Sequence, residues 1–320
     1  MRGELLMQPL RIAVLGMVDG NGHPYSWSAM FNNYDQAAMA DCPYPAIPAY
    51  LAKEPKEKLQ IPGASVTHIW TDDPKDAELV AKASLIPHIV SRPEDVIGHV
   101  DAVMITTDKG HEHVERCRPF VEAGIPIFVD KPLVDNEPDL RQFQRWVRDG
   151  ARIMSSSCMR YSKEFMPYRT SIHSLGQLRY SSITTCKSWE RYGIHALESI
   201  YPILGPGFLS AQNVGTKERN IVLFKHRTHG DVAVIAIEDL YGSHGLLQLC
   251  GTSASATVSF QDTFYSFKTQ LEAFIGYLHT DERPFPFSET EELMRMVIAG
   301  IRSREEGGRV VPLEEIAADY

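Results

Sequence analysis

The stretch HVERCRPFVEAGIPIFVDKPL, residues 113–133, decides how this chain folds. Residues 113–123 carry a helical pattern, Gly124 is placed to end that helix, and IFV at 127–129 is a short, wholly apolar run. A helix leading at once into a short apolar strand is the repeating unit of a parallel sheet. Asp130, Lys131 and Pro132 then lie just beyond the carboxyl end of the strand, where open α/β sheets present groups to ligands.

The same alternation extends to both sides. RIAVLG at 11–16, residues 66–70, DAVMITT at 101–107 and residues 152–156 read as further buried strands, and 26–39, 76–83 and 140–147 as helices. Residues 41–62, rich in proline and charge, read as an insertion. The pattern predicts a doubly wound parallel sheet over residues 1–155. Beyond it the character changes: a helical stretch from 163 is followed by strands at 179–187, 221–225, 232–239, 245–251 and 256–260, then helices at 269–279 and 290–305. Residues 156–320 are therefore expected to form an α+β domain on a mostly antiparallel open sheet.

Composition narrows the function. The 320 residues are 43% hydrophobic and 23% charged, with a net charge of −9. With no basic stripe, nucleic acid is not an expected partner. No apolar run approaches the roughly 20 residues that span a bilayer, so no membrane partner is expected. The opening MRGELLMQPL lacks the long apolar core and small-residue cleavage site of a signal peptide. The five cysteines are widely spaced without a CxxC, which suggests buried reduced thiols in a cytoplasmic protein.

The loop after the first strand runs Gly16-Met17-Val18-Asp19-Gly20-Asn21-Gly22-His23. A dinucleotide-binding turn carries G-x-G-x-x-G, so that the backbone can approach a pyrophosphate seated on a helix N-terminus. Gly16 fits the first position, but Val18 and Asn21 occupy the other two, and Gly20 and Gly22 are out of register. Asp72, ending the second strand, suits adenine-ribose hydroxyls and repels a 2′-phosphate, favouring NAD over NADP. The alternative is that the acids at 72–73 simply start a helix.

Together with GIHALESIYPILG at 193–205, the 113–133 segment resembles the Gfo/Idh/MocA family of sugar and inositol dehydrogenases. The resemblance covers most of the chain, including Met159-Arg160-Tyr161 with 175–178, and the tail from 271–274 to 303–307. It implies a Rossmann domain, a second domain whose open sheet joins homodimers or homotetramers, and reversible oxidation of a secondary alcohol on a sugar, cyclitol or sugar derivative. Carried onto this chain, it makes Lys131 and His195 catalytic. The cofactor side would comprise Gly16, Val18, Asn21, His23, Asp72, Thr106, Thr107, His113, Asp130 and Lys131. The chain departs from the family at Asp130, which replaces a glutamate, at Asp108, which replaces a proline, and at Arg191, where an aspartate is usual. These departures leave two other readings open: non-redox chemistry through transient oxidation by tightly bound NAD, or a binding or regulatory protein without catalysis.

Alcohol oxidation needs a base for the hydroxyl proton, and a histidine pKa near 6.5 suits His195 to that role. Lys131 can stabilise a developing alkoxide. Arg191 either binds an acidic group on the substrate or pairs with Glu190, Glu198 or another acid. If the strand before it continues, Lys187, Trp189 and Arg191 share a face beside Tyr192, which suits a sugar ring or an acidic sugar, the alternative being that Trp189 is a packed core residue. Arg160 and Tyr161 are expected at the cleft. His111 and His113 open a helix without a ligand cluster, so no metal site is expected.

Overall fold

The computed structural model describes residues 9–316, so most of the opening segment lies outside the described residues. Six strands form the first sheet: β1 (Leu10–Leu15), β2 (Ala64–Trp70), β3 (His88–Ile89), β4 (Ala102–Ile105), β5 (Ile127–Val129) and β6 (Ile153–Ser155). All pair in parallel in the order β3-β2-β1-β4-β5-β6. The order reverses between β1 and β4, which opens a crevice at their carboxyl ends.

Local chemistry sets the helices between them. The predicted 26–39 helix is two, α1 (His23–Asn32) and α2 (Gln36–Ala40). Asn33 adopts φ +67, and the Asp35 side chain accepts from the Ala38 amide, capping a new start. The insertion holds two short helices, α3 (Ala46–Leu51) and α4 (Lys56–Leu59). Helices α5 (Pro74–Ala83), α6 (His113–Glu122) and α7 (Glu137–Arg148) complete the crossovers. Asp73 caps α5, so the helix-start role falls to it, and Asp72 instead faces the loop after β1, where it accepts from the Met17 amide.

The stretch after 163 holds only a single short α-helix, α8 (Tyr168–Ser171), between 3-10 turns. The second sheet contains β7 (Leu178–Cys186), β8 (Phe208–Asn213), β9 (Arg219–His226), β10 (Gly230–Ile237), β11 (Leu246–Gly251), β12 (Ser255–Ser259) and β13 (Val311–Pro312). Its order is β12-β11-β7-β10-β9-β8-β13, and only β7 and β10 pair in parallel. Helices α9 (Ile194–Leu204) and α11 (Phe287–Glu305) pack on it, while α10 (Thr263–Thr280) returns toward the first sheet. There Phe274 meets Phe128 of β5, with ring centroids 5.3 Å apart. Among the described residues no helix is long and apolar enough to cross a membrane.

Candidate active site

The carboxyl ends of β4 and β5 supply Thr106, Thr107 and Asp108, and Asp130 and Lys131, all buried. Lys131 lies 3.4 Å from Asp108 Oδ2. From the second half of the chain, Arg191 donates to Asp108 Oδ1 at 2.7 Å. The Tyr192 ring lies between two ammonium groups, its centroid 4.8 Å from Lys131 Nζ and 4.4 Å from Lys187 Nζ. His195 packs edge-on against that ring at 4.8 Å, and its Nδ1 meets Ser157 Oγ at 2.7 Å. Lys131 and His195, brought from opposite halves of the chain, thus share one enclosed cluster.

The electrostatics give the two groups different states. Burial favours the neutral amine of Lys131, but Asp108 and Asp130 outweigh it and hold the ammonium above its ordinary pKa. Burial, reinforced by the Lys131 charge, drives His195 well below 6.5 and keeps its imidazole neutral. Burial would raise Asp108, yet Lys131 and Arg191 hold it down to about 2. The cluster therefore offers a charged donor beside a neutral imidazole. If Nδ1–H is donated to Ser157, the Nε2 lone pair remains available as an acceptor.

The other side of the crevice is built around Gly16. Its φ is +93, and a Cβ there would sit 2.8 Å from Thr107 Cγ2. The Thr106 hydroxyl donates to the Gly16 carbonyl at 2.5 Å, and Thr107 Oγ1 is buried without a partner. Asp72 receives Arg116 Nη2 at 2.8 Å. Beside it is a cavity of about 240 Å³, lined by Leu15, Trp70, Ile105, Arg116, Pro119 and Phe120. An apolar slot beside a carboxylate, with an open hydroxyl and no room for a Cβ, fits the adenosine of a dinucleotide. Asp130 organises the loop instead of facing outward: Asn21 Nδ2 donates to it at 2.8 Å and His23 Nδ1 meets it at 2.5 Å. Val18 is half-buried, and its carbonyl accepts from the Asn21 amide.

Several expectations are corrected. The strand ends at Cys186, Lys187 turns with φ +59, and residues 189–193 form a π-helical turn, so Lys187, Trp189 and Arg191 do not share a strand face. Trp189 is a core residue, fully buried, with its indole N–H donated to the Val297 carbonyl at 2.9 Å. Arg160 is also removed from the cleft: it is buried and paired with Glu198 and with Glu289. Those carboxylates outweigh burial and keep its guanidinium charged. Tyr161 packs against the core at the end of the same turn. His113 spends both ring nitrogens on the Leu133 and Thr107 carbonyls, at 2.9 and 2.8 Å, which joins two loops and leaves none for a cofactor. His111 faces Asp135.

Sequence reasoning missed His244 and Ser157. His244 follows a 3-10 turn and lies 5.8 Å from the His195 ring. Burial, aided by Lys131 and Lys187, pushes its pKa down to about 4. No local motif marks it, because only the pairing of β7 with β11 brings it beside α9. Asp108 was legible only as a departure, and its two cationic partners come from distant elements.

Residues 11–156 match the Gfo/Idh/MocA model, described as an oxidoreductase family with an NAD-binding Rossmann fold. The fold as a whole is similar to many solved structures, three of which illustrate the likeness. A probable dehydrogenase from Thermotoga maritima is 14% identical, with TM-score 0.74, covering 96% of this chain and 100% of that one. Myo-inositol 2-dehydrogenase from Lactobacillus plantarum is 13% identical, with TM-score 0.73, covering 95% and 99%. Scyllo-inositol dehydrogenase from Lactobacillus casei, with bound NAD(H) and scyllo-inositol, is 11% identical, with TM-score 0.74, covering 96% and 99%. No curated protein matches the chain.

Proposed function

Because residues 11–156 match the Gfo/Idh/MocA oxidoreductase model with its NAD-binding Rossmann fold, we propose that the protein oxidises a secondary alcohol of a sugar, cyclitol or sugar derivative. NAD supplies the hydride acceptor. Lys131 donates to the substrate oxygen and stabilises the alkoxide as it forms, and His195 accepts the hydroxyl proton. The observation that carries this reading is the enclosed pairing of a charged Lys131 with a neutral His195 around Tyr192. A donor and an acceptor kept in opposite protonation states by one environment can divide proton handling between them.

Tyr192 and His244 are the aromatic walls against which a sugar ring would lie. The reading extends to a cytoplasmic homodimer or homotetramer joined through the open face of the second sheet. In support, Tyr180 and Leu223 are exposed on that sheet, and the five cysteines are unpaired.

The test is incubation of the purified protein with NAD and a panel of cyclitols and aldoses, following NADH absorbance and product mass. A keto product formed with stoichiometric NADH is expected. Failure to bind NADH together with no turnover on any polyol would overturn the proposal. A dehydrated or cleaved product without net NADH would replace dehydrogenation by transient oxidation.

A further inference from the structure

We infer that Arg191 and Lys187, from the turn after β7, bind the dinucleotide pyrophosphate in place of the amide cradle that the glycine loop has lost. This rests on the NAD reading of the crevice and reassigns both residues from substrate to cofactor.

Several of the loop's amides are already engaged, among them that of Met17, which donates to Asp72 Oδ2 at 3.4 Å. The His23 amide donates to Asn21 Oδ1 at 3.0 Å, and the Asn21 amide to the Val18 carbonyl at 3.0 Å. Pro24, in the first turn of α1, has no N–H. The start of the helix is also covered: a Cβ on Gly22 would fall 2.5 Å from both Tyr44 and Ile47 of the 41–62 insertion. The usual anion seat, open amides on a bare helix N-terminus, is therefore compromised.

Two cations lie against the same loop from outside. Arg191 Nη2 donates to the Asp19 carbonyl at 3.0 Å, and its guanidinium sits 3.6 Å from where a Gly20 Cβ would be. Lys187 Nζ lies 3.5 Å from the Gly20 carbonyl. Arg191 Nε is buried and has no partner, so the guanidinium still has a donor to give. Lys187 holds a left-handed φ of +59 that an L side chain rarely adopts, and this turn carries its ammonium toward the loop. Asp108 neutralises only part of this charge, since it is shared with Lys131. Guanidinium and ammonium donors recognise a diphosphate by charge-assisted hydrogen bonds, and a guanidinium can do so bidentately.

The experiment is calorimetric titration of the full-length protein with NADH, with ADP-ribose, and with adenosine, which lacks the diphosphate. Arg191→Gln and Lys187→Met are compared with wild type at several salt concentrations. The inference expects each variant to weaken ADP-ribose at least tenfold, to leave adenosine within twofold, and to flatten the salt dependence. Arg191→Lys should restore part of the loss. Lys187→Met guards against misfolding, because the described side-chain contacts of Lys187 are limited to Tyr192, through its hydroxyl and ring, and the Gly20 carbonyl.

Unchanged ADP-ribose binding in both variants would overturn the inference while leaving the NAD reading intact. Equal losses for adenosine and ADP-ribose would also overturn it, as a purely structural effect. If wild type bound neither NADH nor ADP-ribose, the NAD reading would fall with it.

Discussion

Arg191 donates to Asp108 at 2.7 Å, and through that bond the turn after β7 is tied to the loop after β4. Asp108 also faces Lys131, so one buried carboxylate holds two cations from different halves of the chain. Two of the positions that set this chain apart from the sequence pattern it resembles thus compensate one another.

Removing that carboxylate should be costly. Asp108→Asn leaves two cations facing a neutral amide in a buried site, a change expected to cost about 3–5 kcal/mol. Urea unfolding measures it, and a loss below about 1 kcal/mol would show that the pair is not a structural tie.

The same carboxylate predicts acid sensitivity. An unfolded aspartate titrates near ~3.9, while Asp108 folded is held down to about 2. The folded state therefore binds fewer protons between these values. The stabilisation is complete above ~pH 4 and disappears as pH falls toward ~2, amounting to about 2–3 kcal/mol. Acid unfolding of Asp108→Asn should lack this component.

Lys131 and His195 should separate binding from chemistry. Lys131→Met is expected to lower kcat by about 10²–10³-fold, and His195→Gln by about 10²–10⁴-fold. NADH binding should persist in both, as measured by fluorescence titration. A variant retaining wild-type kcat would remove that residue from the reaction.

The neutrality of His195 sets the pH profile. Its pKa is driven well below 6.5, so the imidazole stays ready to accept a proton as the medium is acidified through that value. The acid limb of kcat/KM should therefore lie below ~pH 6.5, the ordinary histidine value. A midpoint at or above that value would contradict the assignment.

Gly300→Ala tests the packing behind the site. In a helix interior this change ordinarily gains about 1 kcal/mol. Here the new Cβ would lie 2.7 Å from the buried Trp189 indole, and such overpacking costs about 1–3 kcal/mol. The steric term should win, lowering thermal stability. A stabilised variant would mean that Trp189 can shift.

The parallel half was legible because its strands are continuous apolar runs punctuated by Gly16, Gly124 and capping acids, signals that act within a few residues. Lys131 and His195 were legible because each sits at the end or start of such an element. What the sequence determined by itself is therefore the element order, the doubly wound sheet and the two catalytic candidates. The tertiary structure alone decided which polar residues meet. It sent Trp189 and Arg160 into the scaffold, brought His244 to the site and joined Asp108 to Arg191. The physical reason is that strand and helix periods act locally, whereas a buried charge must find its partner wherever packing brings one close.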